Sequence, residues 1–349
     1  MTQGEAVAEQ RAAPGAERRA GAPRRASGAA LAVLVWAVGY GGLRLYWALT
    51  GRPWMPPMGD DLGPFSDWPA VLLCAAAAAV AGVLLPPVRL ADGVRWAAVA
   101  AGAAAALGLA FASFMLLLDV VGLLLSWADL GIRFQLGAML SRAGCAAGAV
   151  LLAAVVSAEY RRLRAACASC GRTAASRPAP ERAPGWARFA AGAVIVACAA
   201  RIAAQVAADP AALTGGGAGP LAGGVGVYAF EALFLLAGTF LPLALVSGWG
   251  RVWPRWVPPL AGRRVPRPLV LIPGGFAAIG MSCYFLLGLG QMLLDPGGLE
   301  ASGEAMGGYE PWFFWVSVPA YVVWGFGLLA GVVSYYHTAR PACRSCGRG

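Results

Sequence analysis

Two short stretches of the chain carry the residue types best suited to chemistry. Cys167-Ala168-Ser169-Cys170-Gly171 and Cys343-Arg344-Ser345-Cys346-Gly347 each hold two thiols three positions apart, followed by a glycine. Cys-x-x-Cys-Gly is the turn of a zinc knuckle. Two such turns supply four soft thiolates, which matches the tetrahedral preference of Zn²⁺. The glycine lets the chain turn tightly while its amides approach the sulfurs. The expected cofactor is therefore a structural Zn²⁺ held by Cys167, Cys170, Cys343 and Cys346, with no open coordination position. Two other readings stay open. One is a redox-active dithiol, its thiol pKa lowered by nearby arginines; no thioredoxin-like αβ pattern accompanies it. The other is unligated thiols. Arg161, Arg162, Arg164, Arg340 and Arg344 flank the cysteines, and their simplest role is anchoring at a membrane surface.

A second set of residues places charge inside apolar runs: Arg44, Arg142, Arg201, Glu231 and, at the end of a run, Asp119. By position all five fall toward the outer half of a bilayer, where charges are costly and either pair or line a polar cavity. Three arginines against two carboxylates suit a small anionic or zwitterionic molecule, or a lipid headgroup. Tyr46, Trp47, Gln205, Tyr228 and Gln291 are available as hydrogen-bonding groups. The competing reading is that Arg44–Asp119 or Arg201–Glu231 pairs only hold helices together, or that the arginines snorkel.

Other chemistry is excluded or unsupported. All 27 basic residues are arginine, so no Walker phosphate loop with its lysine exists. No nucleophile elbow is present. The single histidine, His337, rules out a multi-histidine metal site and reads as an interfacial residue. Cys74, Cys145, Cys198 and Cys283 each stand alone in an apolar run, as small core residues do.

The elements that must position these groups are membrane helices. The chain is 59% hydrophobic and 13% charged, with a mean hydropathy of +0.65, whereas a soluble domain carries about 25% charge. Eight segments approach the ~20 apolar residues needed to span a bilayer. They are 29–49, 69–85, 96–118 (with a possible extension to 125), 136–158, 189–208, 223–245, 269–293 and 313–334. Strict strand alternation is absent, which argues against a β-barrel. The expected fold is all-α: a polytopic membrane bundle of about eight transmembrane helices.

Charge sets the orientation. With residues 1–27 placed inside as a disordered tail, 22 of the 27 arginines fall on inner segments, two (Arg52, Arg133) on outer loops and three within spans. That bias expects both termini in the cytoplasm and the chain in the cytoplasmic (inner) membrane. The net charge of +10 is thereby assigned to the bilayer rather than to nucleic acid.

The two cysteine tails align without a gap at an offset of 176 residues, from Tyr160–Arg172 to Tyr336–Arg348. Leu117-Leu118-Asp119 recurs as Leu293-Leu294-Asp295 at the same offset, whereas Arg44 and Arg201 match in depth but not in offset. The pattern predicts a duplication, a 4+4 parallel tandem repeat about an axis along the membrane normal. The halves are 28–170 and 187–349, joined by a Pro-, Ala- and Arg-rich linker, 171–186. The stretch 248–268 reads equally as a surface amphipathic segment or as a plain basic loop.

The first span ends Tyr46-Trp47-Ala48-Leu49-Thr50-Gly51. This run resembles a family of small multi-pass membrane proteins of actinobacteria whose first span closes with a Tyr-Trp-Ala-Leu-Gly-Gly-like sequence; Thr50 departs from it. The resemblance implies a membrane protein and carries over no activity, cofactor or site residue. On function, the sequence points first to a transporter or binding protein for a small anionic or zwitterionic molecule. The alternatives are a membrane thiol redox enzyme and a zinc-stabilised structural or assembly protein. The expected partner is the lipid bilayer.

Overall fold

The computed structural model describes residues 28–51, 67–85, 90–124, 135–175, 182–209, 224–255, 257–298, 309–343 and 345–347, with backbone alone for 224–231. The expected tail 1–27, the stretches that hold Arg52 and Arg133, much of the expected linker, Arg344 and the side chain of Glu231 lie outside the described residues.

The fold is an all-α polytopic membrane bundle. Its helices are α1 (Gly28–Thr50), α2 (Trp68–Val83), α3 (Asp92–Ala112), α4 (Leu116–Leu124), α5 (Leu136–Leu163), α6 (Gly185–Ala208), α7 (Gly224–Val246), α8 (Arg267–Leu294) and α9 (Pro311–Thr338). Six of these, α1, α3, α5, α6, α8 and α9, are each long and apolar enough to cross a membrane. The helix α2 and the 232–246 part of α7 are shorter apolar helices. Among the described residues the only β pairing is an isolated antiparallel bridge, Val252 to Arg264.

Proline starts and interrupts these helices in ways a bilayer tolerates. α2, α8 and α9 carry proline in the first two helical positions, where the missing N–H costs nothing. Pro242, Pro273 and Pro319 lie inside α7, α8 and α9; Pro242 is fully buried among the helices, whereas Pro273 lies on the exposed face of α8.

Two apolar cores form. One joins Val33 of α1, Cys74 and Ala77 of α2, Leu109 of α3 and Leu152 of α5. The other joins Val194 and Cys198 of α6, Leu245 of α7, Met281 of α8 and Leu328 of α9. A smaller cluster, Ala204, Met292, Tyr309, Phe313 and Phe314, closes one end of the second core. Between the cores, α3 and α4 touch α8. There Leu117 lies where a side chain on Gly280 would sit, and Phe114 stacks with Tyr284 at 6.1 Å.

With lipid tails as apolar as leucine, helix contact depends on close packing and on satisfied polar groups. The α1–α5 seam illustrates both. Trp36, Tyr40 and Arg44 follow each other at four-residue steps, so they form one stripe on α1. Facing them on α5 are Ser141, Gly144, Cys145 and Gly148. The missing side chains at Gly144 and Gly148 leave room for the rings of Tyr40 and Trp36. Trp36 Nε1 donates to the Gly144 carbonyl at 2.9 Å, and Tyr40 Oη donates to the Ser141 carbonyl at 2.8 Å.

Three boundaries differ from the sequence expectation. The third apolar run is not one helix, because α3 ends at Ala112 and α4 begins at Leu116. At the break the Ser113 hydroxyl donates to the Ala110 carbonyl at 2.8 Å, the local competition by which serine unsettles a helix. The helices α5 and α9 run past the apolar run, to Leu163 and Thr338. In α5 the extension holds Glu159, which accepts from Arg95 at 3.1 Å and Arg162 at 3.3 Å. The stretch 248–268 contains a single 3-10 turn, Trp249–Arg251, followed by the bridge, in line with its proline content.

Candidate metal centre

Each cysteine turn continues a membrane helix. Four residues after Leu163 ends α5 comes Cys167, and five after Thr338 ends α9 comes Cys343. The two turns close alike. The Gly171 amide donates to the Cys167 carbonyl at 2.7 Å, and the Gly347 amide to the Cys343 carbonyl at 2.7 Å. Both glycines are left-handed, with φ of 72° and 71°. Here the requirement for glycine is conformational, since a Cβ is strained at that φ.

The turns bring Cys167, Cys170, Cys343 and Cys346 together, all four partly exposed, with the sulfurs within 4.8 Å of one another. Cys170 Sγ and Cys346 Sγ stand 3.6 Å apart. Sulfurs bound ~2.3 Å from a tetrahedral zinc are about 3.8 Å from each other, so the cluster needs only small adjustments to close on an ion.

The thiols differ in character. Backbone N–H groups of Ser345 and Cys346 point at Cys343 and hold its pKa down to about 6. The Cys170 amide, with that of Ser169, lowers Cys167 in the same way. Desolvation, with the neighbouring thiols, pushes Cys170 up to about 11. Cys343 is thus poised as a thiolate, Cys167 is shifted in the same direction, and a cation among the four offsets the cost of ionising Cys170.

Further contacts join the two tails. Ser169 and Ser345 share a hydroxyl–hydroxyl hydrogen bond of 3.0 Å. Buried Arg172 donates to the Pro341 carbonyl at 3.2 Å. Ser169–Ser345 and Cys170–Cys346 each join residues 176 positions apart. Ahead of the turns, Arg164 lies over Tyr160 at 5.8 Å and Arg340 over Tyr336 at 3.8 Å, a pair of stacks at the same offset. The serine and arginine contacts were not singled out from sequence, although their recurrence in register was visible.

The intramembrane charges fall in two places. Asp119 on α4 pairs with Arg142 on α5 at 2.6 Å, both buried. One turn along α5, Cys145 Sγ lies 3.1 Å from Tyr40 Oη and 3.9 Å from Arg44 Nη2. The guanidinium of Arg44 also lies 5.7 Å from the Tyr40 ring centre and 5.9 Å from that of Trp47. Arg201 on α6 lies over Phe234 at 5.0 Å and Tyr321 at 5.9 Å. Glu231 is on α7, and its side chain is outside the described residues. The structure therefore joins Asp119 to Arg142 and sets Arg44 alongside on the same face of α5, while Arg201 belongs to the aromatic packing of α6, α7 and α9.

Exposed His337 makes an edge contact with Tyr336 at 5.4 Å. Cys74, Cys145, Cys198 and Cys283 are buried in the helix packing. No protein-family model matches the chain, and no curated protein or solved structure matches it.

Proposed function

We propose that this integral membrane protein is two four-span halves fastened at their cytoplasmic ends by one structural Zn²⁺ on Cys167, Cys170, Cys343 and Cys346. The observation that carries this is the convergence of four sulfurs, from turns 176 residues apart, to within 4.8 Å. Amide groups aimed at Cys167 and Cys343 favour the thiolate form that a metal requires. A reducing cytosol disfavours a structural disulfide at the same place. Because each turn directly continues a long helix, the ion acts on α5 and α9 and, through them, on both cores.

The two-half reading draws support from the helix starts and contacts. On this reading the six long apolar helices are joined by the shorter α2 and α7 to give eight crossings. The last helices of the halves, α5 and α9, start at Leu136 and Pro311, close to the offset of the cysteine tails. The first helices, α1 and α6, start at Gly28 and Gly185, 157 positions apart, which is also the spacing of Arg44 and Arg201. Arg44 approaches Cys145, and Arg201 approaches Tyr321, which is 176 positions after Cys145. Contacts between a residue and its own counterpart, as at Ser169–Ser345, are those expected on a two-fold axis. The arginine bias supports cytoplasmic termini in an inner membrane.

The second reading, a thiol redox enzyme, is favoured by the 3.6 Å approach of Cys170 and Cys346. Such a pair closes to a disulfide by passing two electrons and two protons to a disulfide acceptor. Binding or transport of a small anion at Arg44, Asp119, Arg142, Arg201 and Glu231 has less support, because Asp119 already neutralises Arg142.

Metal content decides between the first two. Full-length protein purified without chelator is expected to hold about one zinc per chain by elemental mass spectrometry. Changing either cysteine pair to serine is expected to remove it. Metal-free protein that cycles reversibly between dithiol and disulfide supports the redox reading instead.

A further inference from the structure

The connection between α7 and α8 is built differently from that between α2 and α3. The latter is short, 84–91, whereas 247–266 is long and carries its own structure. After the 3-10 turn Trp249–Arg251, the chain makes a hairpin. The Trp253 amide donates to the Arg263 carbonyl at 2.9 Å, the Gly262 amide to the Trp253 carbonyl at 3.1 Å, and the Val265 amide to the Arg251 carbonyl at 2.9 Å. Its base is tied to the bundle by Arg267, which donates to the Tyr336 carbonyl at 3.4 Å and lies 5.5 Å from the centre of that ring.

The surface composition is one-sided. Residues 247–268 contain five arginines and no carboxylate. Arg255, Arg263 and Arg264 are exposed, and beside them Trp249 and Val252 are exposed as well. An indole and a small apolar side chain next to exposed guanidinium forks match the boundary between acyl chains and phosphates. Guanidinium binds phosphate oxygens in pairs and holds its charge at any physiological pH. The hairpin joins two apolar helices, so it sits where such phosphates are.

We propose that the 247–266 hairpin is a docking surface for anionic phospholipid headgroups, with Arg255, Arg263 and Arg264 meeting the phosphates and Trp249 and Val252 entering the headgroup layer. The apolar side chains favour lipid over a soluble acidic partner, because that partner leaves Trp249 and Val252 in water. This role is independent of the metal centre.

The test uses the full chain in nanodiscs of phosphatidylcholine, with or without phosphatidylglycerol. Trypsin cleavage after Arg255, Arg263 and Arg264 is followed by mass spectrometry and divided by cleavage after exposed Arg182, which corrects for any effect of disc charge on the protease. Phosphatidylglycerol is expected to slow the hairpin cuts about tenfold relative to Arg182. The protection is expected to disappear in about 0.5 M salt, where the screening length falls to about 4 Å. In native mass spectrometry, the Arg255→Gln/Arg263→Gln/Arg264→Gln variant is expected to retain fewer phosphatidylglycerol molecules than wild type, and Trp249→Ala to fall between the two. Equal relative rates in both discs overturn the proposal. So does equal protection in phosphatidylcholine discs by inorganic phosphate, which marks a free-anion site, or by polyglutamate alone, which marks an acidic protein partner.

Discussion

Cys170 and Cys346 face each other across the two tails, their sulfurs 3.6 Å apart. A disulfide needs its sulfurs at ~2.05 Å, so only a small closure separates the thiols from a bond. In metal-free protein a diamide oxidant is expected to take two electrons and two protons from this pair and join the tails. With a protease site engineered at 176–181 and cut, the halves should run as one species without reductant and as two with it. A variant keeping only Cys170 and Cys346 of the four should still cross-link, whereas zinc bound to all four thiols of the wild-type protein should protect the pair. Failure of that variant to cross-link would contradict the tail geometry.

Zinc affinity should fall with acid. The metal takes thiolates, so each thiol still protonated at the working pH releases a proton on binding. Cys170, pushed up to about 11, is a thiol at pH 7 and gives one such proton. Cys343, held near 6, is mostly a thiolate at pH 7 and gives a second only as pH drops through 6. Apparent affinity should therefore rise at least about tenfold per pH unit from 7 to 8, since Cys170 alone gives one proton, and depend on pH more steeply below 6. Competition with a chelator at several pH values measures both slopes; a flat profile would exclude thiolate ligation.

The sequence revealed the cysteine tails because their motif is contiguous and repeats in register. It matched Arg44 to Arg201 in depth but not in offset, and under the proposed duplication the mismatch has a physical reason. The long hairpin 247–266 lies between them and the tails, so helices before it follow one spacing and helices after it another. Of the two expected ion pairs, Arg44–Asp119 is not formed, because Asp119 meets Arg142; the Glu231 side chain of the other lies outside the described residues. Periodicity ranks depth in the bilayer but cannot say which helices a short segment such as α4 meets; α4 touches both α5 and α8, and its Asp119 pairs with α5. The link of Glu159 to Arg95 joins residues 64 positions apart and was illegible, whereas its i,i+3 partner Arg162 was readable from spacing alone.

Small residues in α5 should be selectively intolerant. A Cβ on Gly148 meets the indole of Trp36, while a Cβ on Gly137 meets nothing within 4 Å. Gly148→Ala is expected to displace Trp36, break its 2.9 Å bond to the Gly144 carbonyl and cost about 1–3 kcal/mol. Gly137→Ala is expected to be neutral or slightly stabilising, since alanine is the better helix former. Unfolding midpoints of the two variants in matched detergent measure the difference; equal losses would argue against the α1–α5 seam.

Asp119 and Arg142 offer a test of whether intramembrane charge here serves packing or a ligand. They are 2.6 Å apart and buried, so removing either leaves an uncompensated charge. Asp119→Leu and Arg142→Met are each expected to cost about 3–5 kcal/mol, whereas the double variant should recover most of that loss, because an apolar pair carries no desolvation penalty. A double-mutant cycle on reversible unfolding in mixed micelles reads the coupling directly. Near-complete recovery marks the pair as a fastening of α4 to α5, with no anion required at Arg142. If a small anion raises the unfolding midpoint of the wild type but not that of a stable double variant, Arg142 belongs to a binding site.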